Sequence, residues 1–316
     1  MVMLEHIIVV LIWQSSIALQ HARTTPTRIL KMSSTEAPVE KLGLSYDMEA
    51  YKKGIFSSCP EEVCAILDGT VPKDITGTYF RNGGGVFEVG SERQPVLHPF
   101  DTDGMVLAAQ FKDGKVHFRN RIVNTKGFKT ERQAKRVMFR GSFGTQRPGG
   151  FWGNAFDLNI KNVANTNVIY WAGRLLALWE GGLPHRMEAD SLRTLGEYTF
   201  KGLLQKQTQF SAHPRVCANT GHLVNFASTR TNNKCSITVL EFAPGEIQPA
   251  KERSFDVAGF PFFHDFVVTD KYYIFNQAPT TFDPIPFLLG QKGPAECIGY
   301  DVSKPALIHL VPRDTA

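Results

Sequence analysis

The chain has 316 residues, of which 42% are hydrophobic and 21% are charged, the composition of a globular protein rather than a disordered or fibrous one. The formal net charge of +5 comes from 35 basic and 30 acidic residues, and no block of consecutive lysine or arginine residues indicates a nucleic-acid partner. The five cysteines lack the spacing of a zinc site, so we interpret them as reduced thiols.

Residues 1–35 have the pattern of a targeting segment. The run IIVVLIW at 7–13 and the QSSIAL after it are long enough for a signal-peptide core and too short to span a bilayer, although Glu5 stands where a positive charge is expected. Residues 20–35 contain no acid, as in organelle transit peptides. We expect delivery to a plastid or into the secretory pathway. The alternatives are a disordered extension of a cytoplasmic protein and a true start at Met32.

Residues 36–316 consist of short apolar runs separated by turn residues, and few segments keep a 3.6-residue period over three turns. This pattern predicts an all-β domain. Three segments have the form of two strands joined by a short turn: NVIYWAGRLLALWE at 167–180 around Ala172 and Gly173, FVVTDKYYIF at 266–275 around Asp270 and Lys271, and GYDVSKPALIHLV at 299–311 around Ser303 and Lys304.

Strand-like runs recur at a nearly constant spacing. The second strands of three units begin near Arg174, His222 and Tyr272, which are 48 and 50 residues apart. A repeat of about 50 residues with several strands has the size of a propeller blade, whereas a sandwich gives no reason for a fixed period. The spacing therefore favours a β-propeller.

Two histidines lie in matched apolar surroundings. His213 stands in FSAHPRV and His264 in FPFFHDF, 51 positions apart, and each precedes a predicted hairpin. Equivalent positions in successive blades point to the axis of a propeller, where a metal would take one ligand from each blade. The alternative is a pair of core histidines that hydrogen-bond to backbone carbonyls.

Two further segments contain residues that can bind ligands. The stretch NGGGVFEVG at 82–90 has glycines but not the spacing of a nucleotide loop, and we interpret it as a tight turn. His98, Asp101 and Asp103 in HPFDTDGM suggest a second metal site on residue type alone.

Several motifs resemble those of the carotenoid cleavage oxygenases, a family of non-haem iron dioxygenases. WEGGLPHRM at 179–187 and LLGQKGPAEC at 288–297 are most similar to the cyanobacterial apocarotenoid 15,15'-oxygenases, which form retinal. The resemblance extends from about Gly77 to the last residue through GTYFRNG at 77–83, HPFDTDGM at 98–105, NTNVIYWAGRLLALWEGGLPHRM at 165–187, FSAHPRV at 210–216, FFHDFVVT at 262–269 and LVPRD at 310–314.

The resemblance implies a seven-bladed β-propeller with Fe²⁺ on its axis, held by four histidines. His213 and His264 match two of these ligands, and Glu180 matches a glutamate that accepts a proton from the outer nitrogen of a ligand histidine. The segment with His98, Asp101 and Asp103 is structural in the family. The remaining histidines that match no ligand are expected to be structural or at the surface, and they are His117, His185, His222 and His309.

Two positions depart from the family pattern. Gly84 stands where proline is usual, and Thr102 stands where glycine is usual. Neither position belongs to the residues implied to hold iron.

The resemblance also implies the reaction, in which O2 cleaves a C=C bond of a carotenoid or apocarotenoid to give two carbonyl products. The partners would be a hydrophobic polyene, O2 and the surface of a membrane. Aromatic residues near the histidines line a substrate tunnel or belong to the core, and these are Trp179, Phe210, Phe262 and Phe263. The rival substrate is a stilbene-like phenylpropanoid, cleaved on the same scaffold.

The third and fourth ligands of the family are expected beyond Ala316. At about 50 residues for each blade, residues 36–316 would form an incomplete propeller with about the first five blades. We expect a reading frame that continues and supplies two more histidines. The alternative is a truncated, non-catalytic propeller that binds an apocarotenoid.

Overall fold

The computed structural model describes residues 62–64, 69–205, 209–231 and 234–313, so the predicted targeting segment at 1–35 lies outside the described residues. The described part is mostly β-structure, which confirms the all-β prediction. Its strands are β1 (Glu62–Val63), β2 (Gly77–Val86), β3 (Glu88–Val89), β4 (Gln94–Pro95), β5 (Asp103–Lys112), β6 (Lys115–Ile122), β7 (Asn167–Trp171), β8 (Arg174–Leu178), β9 (His185–Met187), β10 (Thr194–Glu197), β11 (Gln209–Phe210), β12 (Arg215–Val216), β13 (Leu223–Thr231), β14 (Lys234–Phe242), β15 (Lys251–Ala258), β16 (Val267–Val268), β17 (Tyr272–Gln277), β18 (Thr280–Phe282), β19 (Ile298–Tyr300) and β20 (Leu307–Pro312).

Helices are short and lie between the strands. The α-helices are α1 (Lys126–Ala134), α2 (Gly150–Asn154) and α3 (Pro284–Leu288), and 3-10 turns cover Pro99–Asp101 and Pro294–Cys297. Among the described residues, no helix has the length and apolar character needed to cross a membrane.

Four sheets follow one another along the described chain. Sheet I has the strand order β1-β6-β5-β2, sheet II β10-β9-β8-β7, sheet III β11-β13-β14-β15 with β12 also beside β13, and sheet IV β16-β17-β20. Neighbouring strands in these sheets are antiparallel, as in propeller blades. The predicted repeat is visible here. β8, β13 and β17 each pair with the edge strand or strands that precede them in sheets II, III and IV, and they begin at or next to the predicted positions.

The hydrophobic core is divided into clusters between neighbouring sheets, and β8 shows why. Leu175 and Ala177 pack in the cluster shared with sheet I, while Leu176 and Leu178 pack in the cluster shared with sheet III. Successive side chains of a strand point to opposite faces, so a strand buried on both faces needs a continuous apolar run. The sequence RLLAL of this strand meets that need.

Two of the three predicted hairpins are confirmed. Ala172 and Gly173 have φ angles of 48° and 73°, which form the turn with two left-handed residues that suits a two-residue hairpin between β7 and β8. β16 and β17 pair around the turn at Asp270 and Lys271.

The hairpin predicted at 299–311 is wrong. β19 pairs with β18, and β20 pairs with β17 from Tyr272 opposite Pro312 to Gln277 opposite Leu307. Pro305, which lacks an N–H, lies before β20 and outside the ladder. A local pattern of two runs and a turn predicts strands, but the partner of each strand depends on segments distant in sequence.

The tight turn predicted at 82–90 is also wrong. β2 runs through Gly83 and Gly84, and the register with β5 shifts between Gly84 and Val86. A Cβ atom on Gly84 would come within 2.0 Å of Oγ1 of Thr102, whose hydroxyl donates to the carbonyl of Pro99 at 2.6 Å. The two departures from the family pattern, Gly84 and Thr102, are therefore neighbours in space. The side chain of Thr102 fills the volume that a side chain at position 84 would need.

His98 and Asp101, which the sequence placed in a possible second metal site, have protein partners. Nδ1 of His98 accepts a hydrogen bond from the backbone N–H of Phe100, and burial lowers the pKa of His98 to about 4. The carboxylate of Asp101 accepts hydrogen bonds from the backbone N–H groups of Phe143 and Thr145. These contacts give the segment a structural role.

Lys161 holds two buried carboxylates. Its Nζ lies 2.6 Å from Oδ2 of Asp103 and 2.6 Å from Oε2 of Glu131, which belongs to α1. Burial raises the pKa of Asp103 to about 6 although Lys161 acts in the opposite direction. The lysine therefore fastens α1 to sheet I.

Replacement of Lys161 by Met is expected to lower the free energy of unfolding at pH 7.5 by about 3–5 kcal/mol, since it leaves two buried carboxylates without a cation. Urea denaturation measures the loss, which should be smaller at pH 5, where Asp103, whose pKa burial raises to about 6, is largely protonated. Lys304→Met is the control, since it breaks an exposed pair with Asp301. Equal unfolding midpoints for the two variants would contradict the role of Lys161.

Candidate metal centre

The structure brings the two predicted histidines into contact. His213 lies between β11 and β12, and His264 lies in the segment that leads into β16. Their ring centroids are 4.2 Å apart and the rings are inclined by 73°. The segments come from sheets III and IV, so the 51-residue spacing in the sequence corresponds to adjacent sheets in space.

The backbone around His213 is held by polar side chains. The N–H of His213 donates to Oγ of Ser211 at 3.1 Å, and Nδ2 of Asn167 on β7 donates to the carbonyl of Ala212 at 2.8 Å. Asn82 on β2 donates in turn to the carbonyl of Asn167 at 2.9 Å. Side-chain amides thus link β2 of sheet I and β7 of sheet II to the segment that carries His213.

Glu180 lies beside the histidines and comes from sheet II. It follows β8, and its Oε1 is 3.2 Å from Nδ1 of His264, a close contact without the alignment of a good hydrogen bond. Its other oxygen, Oε2, is buried and has no hydrogen-bond partner in the structure. Three successive sheets therefore each contribute one of the predicted site residues.

The electrostatics favour an ionised carboxylate and a neutral imidazole. Burial by itself would raise the pKa of Glu180, but its interactions with His264 and His213 outweigh burial and place the pKa below its usual value. Burial lowers the pKa of His213, and repulsion by His264 lowers it further. A neutral imidazole carries a lone pair that can bind a transition metal.

His213 has the property expected of a metal ligand. Its Nε2 atom is buried and has no hydrogen-bond partner in the structure, which is costly for a polar atom unless another group occupies that position. No set of three or more histidine, cysteine or acidic side chains arranged to hold a metal occurs within the described residues. The described residues bring together a pair of imidazoles and one carboxylate.

The aromatic residues near the histidines divide between core and cavity. Phe210 is buried in the cluster between sheets II and III and belongs to the core. Phe262 and Phe263 line a small cavity that also touches Glu180 and Ser211. The ring of Trp179 lies against Gly181, where a Cβ atom would approach it to 2.2 Å.

Three of the other histidines have surroundings that differ from those of His213 and His264. Nδ1 of His222 is 2.9 Å from Oε1 of Glu241, and Nε2 of His309 is 2.7 Å from Oε1 of Gln277. His185 is buried, and burial together with Lys129 lowers its pKa to about 4. The contacts of His222 and His309 agree with the structural role expected for them.

An ion pair that the sequence analysis did not identify joins the two histidine segments. Arg215, at the start of β12, binds the carboxylate of Asp265, which follows His264. The residues are 50 positions apart. The same spacing that selected the histidines could have found this pair of opposite charges.

Comparisons with known proteins agree with the motifs. The family described as retinal pigment epithelial membrane protein matches residues 55–316. The apocarotenoid-15,15'-oxygenase of Synechocystis sp. is 41% identical over 291 residues, which are 89% of this chain and 58% of that protein. Resveratrol cleavage oxygenase 1 of Aspergillus fumigatus is 32% identical over 257 residues, which are 78% of this chain and 47% of that protein.

A solved structure supports the same relationship. The crystal structure of cobalt-substituted Synechocystis apocarotenoid oxygenase superposes with a TM-score of 0.77 at 40% identity and covers 85% of this chain and 57% of that chain. The chain thus spans little more than half the length of its Synechocystis relative.

Proposed function

Because the chain belongs to the retinal pigment epithelial membrane protein family, we propose that the whole protein is an Fe²⁺-dependent dioxygenase that cleaves a C=C bond of a carotenoid or apocarotenoid. The family includes carotenoid and apocarotenoid oxygenases, as the motifs predicted, and its fold is the seven-bladed β-propeller. The observation that carries the proposal is the contact between His213 and His264, with Glu180 beside them.

The imidazoles of His213 and His264 would hold Fe²⁺ together with two further histidines that the resemblance implies. The partnerless Nε2 of His213 supports this assignment, as does the cobalt in the related Synechocystis structure. When bound, Fe²⁺ supplies the chemistry that activates O2. An all-histidine ligand set differs from the set of two histidines and one carboxylate in many iron oxygenases.

Glu180 would orient His264. Its ionised carboxylate, 3.2 Å from Nδ1 of His264, would accept a hydrogen bond from the Nδ1–H group when the two are aligned, which would leave the lone pair on Nε2 available to a metal. Burial opposes the ionised form of Glu180, and the interactions with His264 and His213 lower its pKa enough to outweigh burial.

The proposed substrate is an apolar polyene. Phe262 and Phe263 provide aromatic surface beside Glu180, and identity is higher to the apocarotenoid oxygenase of Synechocystis than to the resveratrol oxygenase of Aspergillus fumigatus. Cleavage of one C=C bond by O2 places both oxygen atoms in two carbonyl products and needs no external reductant. Turnover of a stilbene in preference to an apocarotenoid would favour the phenylpropanoid alternative, and turnover of neither would favour a binding propeller.

We also propose that the protein touches a membrane surface from which it takes its substrate. Large apolar side chains are exposed on and after α2 and on α3, with Trp152 91%, Phe156 73% and Ile285 62% exposed. The buried guanidinium of Arg140 fastens these elements together by donating to the carbonyls of Asn154 and Phe287. Aromatic side chains of this kind favour the interface of a bilayer.

A plastid or secretory location remains a prediction from residues 1–35.

His213→Ala and His264→Ala in the protein expressed from its full reading frame are each expected to abolish iron retention, because each removes an imidazole ligand. Iron per protein chain, measured by mass spectrometry of the purified proteins, checks this. His309→Gln is the matched control and should retain iron, since Nε2 of His309 already pairs with Oε1 of Gln277. One iron for each chain in either alanine variant would refute the ligand assignment.

Glu180→Gln is expected to retain part of the iron and to lower kcat by about 10–100-fold, because an amide cannot stabilise the required tautomer of His264 as a carboxylate does. Steady-state cleavage of an apocarotenal checks this. Glu188→Gln, on an exposed loop of sheet II, is the control. An unchanged kcat at equal iron content would leave Glu180 with a structural role only.

Trp152→Ala is expected to weaken partitioning onto phospholipid vesicles by about tenfold, because it removes a large exposed apolar side chain. Sedimentation of the protein with vesicles measures the partition coefficient. Tyr79→Ala removes an exposed aromatic side chain from β2 and should leave partitioning unchanged. Equal partitioning of the wild type and both variants would argue against α2 as a membrane contact.

A further inference from the structure

We propose that Arg215 and Asp265 form a positioning pair that fixes the separation and relative orientation of His213 and His264. The inference rests on the proposed metal-binding function of these histidines. The pair would act by holding together the two segments that present the imidazoles, and it would not touch the reacting atoms.

Arg215 contacts both the side chain and the backbone of the segment that carries His264. Its Nη2 donates to Oδ2 of Asp265, and its Nε donates to the carbonyl of Phe266 at 3.4 Å. Oδ1 of Asp265 accepts the backbone N–H of Phe266 at 2.7 Å, which holds the carboxylate in place for the guanidinium. A link at two points restricts orientation as well as distance.

The two segments belong to different sheets. β12 pairs with β13, and β16 pairs with β17, so each strand has its ladder within its own sheet. A groove of about 410 Å³ is lined by residues 215–219 of one segment and 266–270 of the other. Close packing therefore does not fill this groove, although core residues such as Phe226 and Phe266 pack between the same two sheets. The side chains that bridge the groove contribute to the spacing of its two strands.

The bridging side chains occur at equivalent positions of the two sheets. His213 and His264 are 51 residues apart, Arg215 and Asp265 are 50 apart, and Asn219 and Asp270, which are joined by a 2.7 Å hydrogen bond, are 51 apart. The ion pair lies closest to the histidines along the chain. It therefore has the most direct influence on where the imidazoles stand.

The ion pair itself adds little to global stability. The side chains of Arg215 and Asp265 are 46% and 42% exposed, and exposed pairs contribute little to folding free energy. Loss of the pair should therefore leave the protein folded and change the local geometry. Arg215 and Asp265 also affect the pKa of His213 in opposite directions, the carboxylate raising it and the guanidinium lowering it, so an intact pair adds little net charge to the site.

Because Arg215 and Asp265 carry opposite charges, single variants can distinguish an effect of histidine positioning on metal affinity from an effect of charge. Arg215→Met leaves a carboxylate near the site, and Asp265→Asn leaves a guanidinium. If charge alone mattered, the first variant would bind a cation more tightly and the second more weakly. If the pair positions the histidines, both variants lose affinity. The double variant Arg215→Asp with Asp265→Arg restores the link with its charges exchanged.

The experiment is a titration of the metal-free, full-length protein with Co²⁺, followed by visible absorption. We expect about 10–100-fold weaker Co²⁺ binding and an altered absorption band in each single variant, as for other residues that orient metal ligands. The exchanged double variant should recover most of the affinity. Arg193→Met and Glu188→Gln, which break an exposed ion pair within sheet II, should have no effect, and circular dichroism checks that all variants are folded.

The outcomes separate this inference from the proposed function. Failure of the wild-type protein to bind either Co²⁺ or Fe²⁺ would overturn the metal centre and, with it, the positioning pair. Normal binding by the wild type and by both single variants would overturn the positioning pair alone. Tighter binding by Arg215→Met and weaker binding by Asp265→Asn would replace positioning with a charge effect.

Discussion

The organisation of this protein depends on the burial of both faces of its blade-like sheets. Leu175 and Ala177 of β8 pack towards sheet I, while Leu176 and Leu178 pack towards sheet III. A sheet that is apolar on both faces needs a neighbour on each side, which makes a succession of sheets the favourable arrangement. Successive edge strands are then brought side by side, where polar side chains can meet.

The candidate metal centre is a consequence of that arrangement. Glu180, His213 and His264 come from three successive sheets, and none of them contacts another through local sequence. Side chains that bridge the sheet edges, such as Asn167 and Arg215, hold the segments that carry them. The site residues and the side chains that hold them in place therefore lie at the same contacts between sheet edges. A change in how the sheets pack against one another would disturb the site even if each sheet stayed intact.

Much of this could be predicted from the chain alone. The two-residue hairpin at Ala172 and Gly173 and the matched surroundings of His213 and His264 are local signals, and the structure agrees with both. Other features depend on distant partners. Gly84 lies within a strand because Thr102 occupies the space beside it, a relation that no pattern around residues 82–90 contains.

The sequence by itself determined the strand content, the period of the repeat and the matched apolar surroundings of His213 and His264. These follow from side-chain periodicity and residue type, which act over a few positions. Only the tertiary structure decided that β20 pairs with β17 rather than β19, that Glu180 stands beside His264 and that Arg215 binds Asp265. Each of these contacts joins segments distant in sequence, and the packing of whole sheets determines which of many possible partners a side chain meets.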